Sequence, residues 1–349
     1  EVVRSAWVAA RQRMAPARSS GLDVTVPNIV HFVYGSSDTH AEFSFAFFCN
    51  IAAAALVLAP DEIIMHYEFE SIGVWWTALK HLITMRQSPM PNSVLGAELS
   101  LPAHKTDIVR LRSLIDEGGI YFDTDVLPLR SFDDLRNNGT QFLMGEQFNG
   151  PADNPKTWLK SKGLCNAVMV SAKGTKFGKY WMSKYVNFTE ASGWDAFSVQ
   201  LPLQLAREPE ASKDITILAK PWYFFKPGPG PEGLAELFAG KDKPEELDLS
   251  HSYTTHFWNT NTFSKSITAR ISPGAIVDGS DEPDTVYMRV IRSVLPSNIR
   301  AAIHNISSQV VQPPENVRWS ADHPLCKWQK SREPRVPRLP FGITCDELN

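Results

Sequence analysis

Gly118-Gly119-Ile120-Tyr121-Phe122-Asp123-Thr124-Asp125 is the stretch that decides how this chain folds. A glycine pair breaks a helical pattern, and Ile120, Tyr121 and Phe122 then favour a strand. The run ends in two acids one residue apart. Side chains at i and i+2 of a strand point to the same side, so Asp123 and Asp125 are expected to converge at the strand's end. Two carboxylates held that close repel unless a cation lies between them. Oxygen ligands suit a hard divalent ion such as Mg²⁺ or Mn²⁺. Such an ion is most useful where a diphosphate is gripped and its charge neutralised as it leaves. An isolated Asp-x-Asp is otherwise a common pair of solvated turn residues, so its neighbours decide the matter.

Upstream, Ile108, Leu111 and Ile115 recur at helical spacing, which predicts a helix over 105–117. Thr106 suits its N-cap and Gly118 its stop. Asp107 and Arg110 lie three apart on one face; taken alone they would be an ordinary surface ion pair. Farther out, strands are expected at 27–35, 62–67, 120–124, 141–145 and 167–171, with helices over 42–58 and 74–84. Strands separated by helices imply a parallel or mixed sheet with ligands at the carboxyl ends of the strands. After about residue 205 the pattern loosens, and Pro227-Gly228-Pro229-Gly230-Pro231 reads as a loop. His251-Ser252-Tyr253-Thr254-Thr255-His256-Phe257-Trp258 is a second dense polar-aromatic cluster. A last helix, Asp284 to Val294, places Tyr287, Val290, Ile291 and Val294 on one face, as a packing element.

The run from His104 to Leu129 resembles the signature of the Asp-x-Asp sugar-binding glycosyltransferases of family 32 type. That group includes yeast initiating mannosyltransferases and the α1,4-galactosyl- and α1,4-N-acetylglucosaminyltransferases. The match consists of Lys105-Thr106-Asp107, Arg110, Gly118-Gly119, Tyr121, Asp123, Asp125 and Leu127-Pro128-Leu129. Thr106 stands where Ser is usual. The resemblance is strong over residues 100–135, weaker from Pro27 to Trp258, and not apparent beyond.

This resemblance implies an α/β fold of GT-A type, a single nucleotide-sugar-binding domain with a mixed, mainly parallel central sheet. The catalytic domain would span 25–275, preceded by an arm or stem (1–24) and followed by a C-terminal helix and tail (276–349). The implied reaction is metal-dependent transfer of a hexose, with retention, from a UDP-sugar or GDP-mannose to a glycan, glycolipid or glycoprotein acceptor. Asp123 and Asp125 would hold Mn²⁺ or Mg²⁺, joined by His256 of a late His-x-Trp, with His251 as runner-up. Arg110 would bond a phosphate or sugar oxygen and Asp107 a sugar hydroxyl, while Tyr121 would stack on or bond the donor. Val33, Tyr34 and Gly35 would meet base and ribose, and Asn166 and Trp258 would face the cleft. Glu146 and Asp195 are the carboxylates that would sit under the sugar as nucleophile, unless the acceptor attacks from the same face. Many relatives carry Thr-Gly-Pro near the latter; this chain reads Ser198-Val199-Gln200-Leu201-Pro202, a departure on the acceptor side.

Composition agrees with a large folded enzyme: 349 residues, 43% hydrophobic, with 10 Trp and 19 Phe. A net charge of −3 gives no global bias toward nucleic acid or anionic membranes. Phe43 to Ala59 is apolar but interrupted by Asn50, and reads as a buried helix rather than a membrane span. The numbering opens on Glu1, which leaves room for a signal or anchor removed upstream. The arginines at 4, 11, 13 and 18 suit a stem helix, a packed arm or a transit peptide. Of the cysteines at 49, 165, 326 and 345, Cys326 and Cys345 flank a Pro- and Arg-rich tail that a disulfide would staple. Sequons begin at Asn138, Asn187 and Asn305; beside the family resemblance they favour the secretory pathway, the Golgi lumen in particular.

Two other classes share parts of this pattern. A catalytically inactive sugar-nucleotide or carbohydrate-binding protein would keep the fold, although the intact Asp107, Arg110, Asp123 and Asp125 set argues against decay. A haloacid-dehalogenase-type phosphohydrolase also ends a strand in Asp-x-Asp, but there a Thr stands two places after the second acid, where this chain has Leu127.

Overall fold

The computed structural model describes residues 25–37, 41–137, 139–148, 161–219, 249–259, 273–277, 285–307, 318–319 and 344–345, with isolated positions at 224, 234, 237, 238, 268 and 271. The first half alternates strand and helix: β1 (Ile29–Tyr34), α1 (Phe45–Val57), β2 (Glu62–Tyr67), α2 (Val74–Leu79) and β3 (Thr84–Gln87). A short hairpin follows, β4 (Ser93–Val94) and β5 (Ala97–Glu98), then α3 (Pro102–Asp116), β6 (Gly119–Phe122), β7 (Val126–Pro128) and α4 (Asp133–Arg136). Next come β8 (Phe142–Phe148), β9 (Ser161–Ser171), α5 (Lys176–Lys184), α6 (Leu201–Ala206), β10 (Thr216–Leu218) and β11 (Thr254–His256). The remaining elements are α7 (Pro273–Val277), α8 (Val286–Val294), α9 (Ser297–Ser307), β12 (Arg318–Trp319) and β13 (Thr344–Cys345).

Seven strands form the central sheet in the order β10-β8-β9-β6-β1-β2-β3. Only β9 runs against its neighbours; the other pairings are parallel. The sheet is therefore mixed and mainly parallel, as expected. Its strands are apolar on both faces because both faces are covered. On one side lie α1, α2, α8, α9 and the 253–258 segment. On the other lie α3, α5 and α6.

Helix α1 shows how sequence becomes position. Ser44 accepts the Ala46 N–H to cap it, and Phe45 through Leu56 are all buried. A helix buried all round belongs to a core, here between the sheet and α8. Its one polar interior residue, Asn50, donates to the Thr124 carbonyl at 2.9 Å. The core helix thus holds the middle residue of Asp123-Thr124-Asp125.

Several boundaries differ from the sequence expectation. Helix α3 starts at Pro102, with Leu101 as N-cap, so Thr106 lies inside the helix. Pro suits that first turn because its missing N–H would have no partner there anyway. The apolar stretch from Val74 is helical only to Leu79, and Thr84–Gln87 adds the edge strand β3. Gly118 and Gly119 end the helix with positive φ values of 75° and 110°. A Cβ on Gly119 would sit 2.4 Å from the Ile29 carbonyl oxygen, so the close β1–β6 approach needs glycine.

The Cys326–Cys345 pairing and the Asn138 sequon lie outside the described residues, except that β12 and β13 pair in parallel with Trp319 opposite Cys345. Asn187 and Asn305 are exposed. Among the described residues, no helix is long and apolar enough to cross a membrane.

Within the sheet, two histidines from β1 and β2 stack with ring centroids 5.3 Å apart. His31 Nδ1 lies 3.1 Å from His66 Nε2, and His31 Nε2 lies 3.0 Å from the Gly118 carbonyl oxygen. Burial, then the His31 and Arg86 charges, lowers His66 from 6.5 to about 4. The folded state thus binds fewer protons than the unfolded chain between these values. The stability His66 contributes is full above about 6.5 and is lost as pH falls to about 4. The loss is on the order of 3 kcal/mol. Melting temperature measured across that range is expected to fall, and His66→Gln to flatten the fall.

Candidate active site

The site is built at the carboxyl edge of β6. The chain leaves Phe122 and turns at once: the Val126 N–H donates to the Asp123 carbonyl at 3.0 Å. Asp123 and Asp125 thus lie in a tight turn between β6 and β7, not along the strand as the sequence suggested. The turn still brings them together, and β11, paired antiparallel with β7, sets His256 opposite Val126 beside them. His256 Nε2 lies 3.2 Å from Asp125 Oδ1. Asp123, Asp125 and His256 each offer one ligand atom, and these atoms all lie within 4.8 Å of one another.

The two carboxylates have different surroundings. Asp125 is buried, and its Oδ2 accepts the Asn259 N–H at 2.6 Å. Burial by itself would raise its pKa, but the His256 charge and hydrogen bond and the Asn259 N–H outweigh it and hold Asp125 below the ordinary carboxylate value. This buried, paired group contributes to the fold. Asp123 is more open, with its side chain 28% exposed. Its Oδ1 accepts from Tyr121 Oη at 2.6 Å and pairs with Arg110 Nη1 at 3.0 Å. Asp123 Oδ2 has no hydrogen-bond partner among the described residues. Two carboxylates and an imidazole, with an oxygen left over, form a donor set suited to a divalent metal ion.

Arg110 and Asp107 are a buried pair, not the surface ion pair their spacing also allowed. Arg110 reaches Asp123 with one nitrogen, lies 3.6 Å from Asp107 Oδ1, and donates to Thr106 Oγ1 at 3.2 Å. Its guanidinium sits 4.8 Å from the centre of the Tyr121 ring. Burial opposes the charge of Arg110, but Asp123, Tyr121 and Asp107 hold it protonated. Asn166 Nδ2 donates to Asp107 Oδ1 at 2.7 Å. Burial raises the Asp107 pKa, with Arg110 and Asn166 opposing it. The structure therefore brings Asp107, Arg110, Tyr121, Asp123 and Asn166 into one network.

The other expected positions fall around this network. Val33, Tyr34 and Gly35 line a cleft of about 240 Å³ together with Ser36, Phe69 and Thr106. Tyr34 also packs edge-on against Phe43 at 4.9 Å. Gly35 has φ +64°, and a Cβ there would meet the Phe69 carbonyl oxygen at 2.1 Å. Trp258 packs on His256 with ring centroids 4.1 Å apart and planes tilted by 37°, and adopts φ 53°, a costly backbone for a bulky residue. His251 is exposed and lies outside the cluster. Asp195 joins Lys162 Nζ at 2.6 Å and accepts from Gln200 Nε2 at 2.8 Å. Glu146 stands on β8 opposite Leu164, without a partner among the described residues. Neither of these two carboxylates joins the Asp107–Arg110–Asp123 network.

The sequence reading missed Asn50 and Asn259. Asn50 had a signal, as the lone polar residue of an apolar helix. Asn259 had none, since its backbone N–H is what acts.

Residues 53–142 match the family described as the glycosyltransferase sugar-binding region containing a DXD motif. This region of the chain, which holds Asp107, Arg110, Asp123 and Asp125, is thus similar to the sugar-binding region of the DXD-containing glycosyltransferases. The chain is similar to glucan organizing enzyme 1 of Cryptococcus neoformans var. grubii, 28% identical over 266 residues, which is 75% of this chain and 69% of that protein. Among solved structures, it aligns with PaToxG glycosyltransferase at a TM-score of 0.38 and 13% identity, covering 61% of this chain and 82% of that one.

Proposed function

We propose that this site transfers a hexose from a nucleoside-diphosphate sugar to a glycan acceptor, with divalent-metal assistance and retention of anomeric configuration. One observation carries the reading: Asp123, Asp125 and His256 converge beside the Arg110 network at the sheet edge, between an open cleft and the projecting start of β9. The sheet order β2-β1-β6-β9 lays these parts out in sequence. Neighbouring strands are about 4.8 Å apart, so the strip is roughly 14 Å long. Phe69 and Val33–Gly35, just past β2 and at the end of β1, form the nucleoside end. Asp123 and Asp125, after β6, with His256, would hold Mn²⁺ or Mg²⁺, which would supply charge neutralisation for a leaving diphosphate. Arg110 presents a fixed cation to phosphate or sugar oxygens. Asp107, oriented by Asn166, accepts from a sugar hydroxyl. Tyr121 fixes the Asp123 carboxylate.

With Asp195 held by Lys162 and Gln200, attack by the acceptor on the face of the departing diphosphate is the favoured route to retention. The exposed sequons at Asn187 and Asn305 support a secretory-pathway setting. Calorimetry with UDP and GDP, each with Mn²⁺ and then with excess chelator, tests the core of this reading. Metal-dependent binding of one nucleotide is expected. Binding of neither, or binding unchanged by chelator, would overturn it. The product's anomeric configuration, read by NMR, tests retention.

A further inference from the structure

Beyond the donor site, one exposed aromatic side chain is held beside α3 without serving the core. Trp194 is 58% exposed, more than any other large hydrophobic residue among those described. A single exposed apolar residue is ordinary on a protein surface. Trp194 differs in how firmly it is held and in what it adjoins. Its ring lies 6.0 Å from the His104 ring, and its carbonyl oxygen lies 3.4 Å from His104 Nε2. His104 is itself fixed, with Phe188 edge-on at 5.0 Å and Glu190 Oε2 2.7 Å from its Nδ1. Glu190 Oε1 in turn accepts from the Ser100 and Leu101 backbone N–H groups that open α3. The ring is therefore anchored through His104 to the same helix that carries Asp107 and Arg110.

His104 and Asp107 are three residues apart, on one face of α3. On the other flank, the next residue, Asp195, pairs with Lys162, four positions before Asn166 on β9. Trp194 thus stands past β9, at the end of the strip away from the nucleoside cleft. The face of a sugar ring that carries only C–H bonds packs well on an aromatic face, whose π cloud is negative.

We propose that Trp194 is a stacking platform for the acceptor sugar. The inference rests on the donor-site reading above and adds the acceptor side to it. A platform already ordered in the free protein loses little conformational entropy when the sugar arrives. It gives affinity with loose selectivity among hydroxyl patterns, since stacking reads the ring's C–H face.

The test uses the full chain, its Trp194→Ala and Trp194→Phe variants, and a panel of manno-, gluco- and galacto-oligosaccharides. Oligosaccharide binding is followed by NMR line-broadening of the sugar, and nucleotide binding separately by calorimetry with UDP or GDP and Mn²⁺. Trp194→Ala is expected to weaken the best oligosaccharide roughly tenfold, with Trp194→Phe restoring most of it. Metal-dependent nucleotide binding should be the same in all three proteins. Equal oligosaccharide binding by wild type and Trp194→Ala, including no binding by either, overturns the platform whatever the nucleotide result. Loss of nucleotide binding in the wild type instead strikes the donor-site reading, which the calorimetry reports independently.

Discussion

Asp123→Asn is expected to lower sugar transfer by about three orders of magnitude while the protein stays folded. Stabilising charge on a departing diphosphate through a metal is worth several kcal/mol, and about 4 kcal/mol corresponds to that factor. Asn has the shape of Asp and keeps an oxygen to accept from Tyr121 Oη and Arg110 Nη1. Arg110 also keeps Asp107. The half-open position of Asp123 makes the substitution mild for the fold. Asp125→Asn should be equally damaging to transfer and far more damaging to stability. Asp125 is buried, faces His256 and accepts the Asn259 N–H, and removing one partner of a buried pair costs about 3–5 kcal/mol. Steady-state transfer and thermal melts on both variants separate the two roles. Normal transfer by Asp123→Asn, or by the wild type in excess chelator, would remove the metal reading.

The split between these two aspartates also marks where the sequence stops being legible. The motif itself was readable because Gly118-Gly119, the apolar strand and the two acids are contiguous, and local patterns survive in a linear string. Even the error there was small: a turn in place of a strand end still lets i and i+2 converge. Helix α3 was placed correctly but started late, because Pro102 looks like an interruption until its missing N–H is counted as free at a first turn. Strand β3 went unread: only Thr84 lay in the stretch read as helical, and its sequence Thr-Met-Arg-Gln has no apolar alternation to mark an edge strand. The contribution of Asn259 was invisible, because a backbone N–H carries no side-chain signature. His256 was found through its His-x-Trp spacing. Its position over Asp125, however, depends on β11 pairing with β7, more than 120 residues upstream, and no local rule predicts that register.

Asp107→Asn gives the other large effect, and in opposite directions for two properties. Asp107 is buried, and burial is the main influence on its carboxyl, raising its pKa above the ordinary 3.8 despite Arg110 and Asn166. For a carboxyl with a raised folded value, the folded state binds more protons than the unfolded one. The stability linked to Asp107 is present below 3.8 and is lost as pH rises through the higher folded value. At neutral pH the charged group therefore works against the fold. A neutral Asn still accepts the Asn166 Nδ2 hydrogen bond, and Arg110 still has Asp123. The variant's melting temperature at pH 7 is expected to equal or exceed that of the wild type, with the gap closing in acid. Transfer should nevertheless fall by roughly two orders of magnitude, because the charge that positions the donor is gone. A residue that costs stability and is kept for catalysis gives this pairing of outcomes. Measuring melts from pH 3 to pH 8 alongside kcat and KM decides it. A variant that loses stability at pH 7 and retains near-normal turnover would show that Asp107 serves the fold, and that the donor is held by other groups.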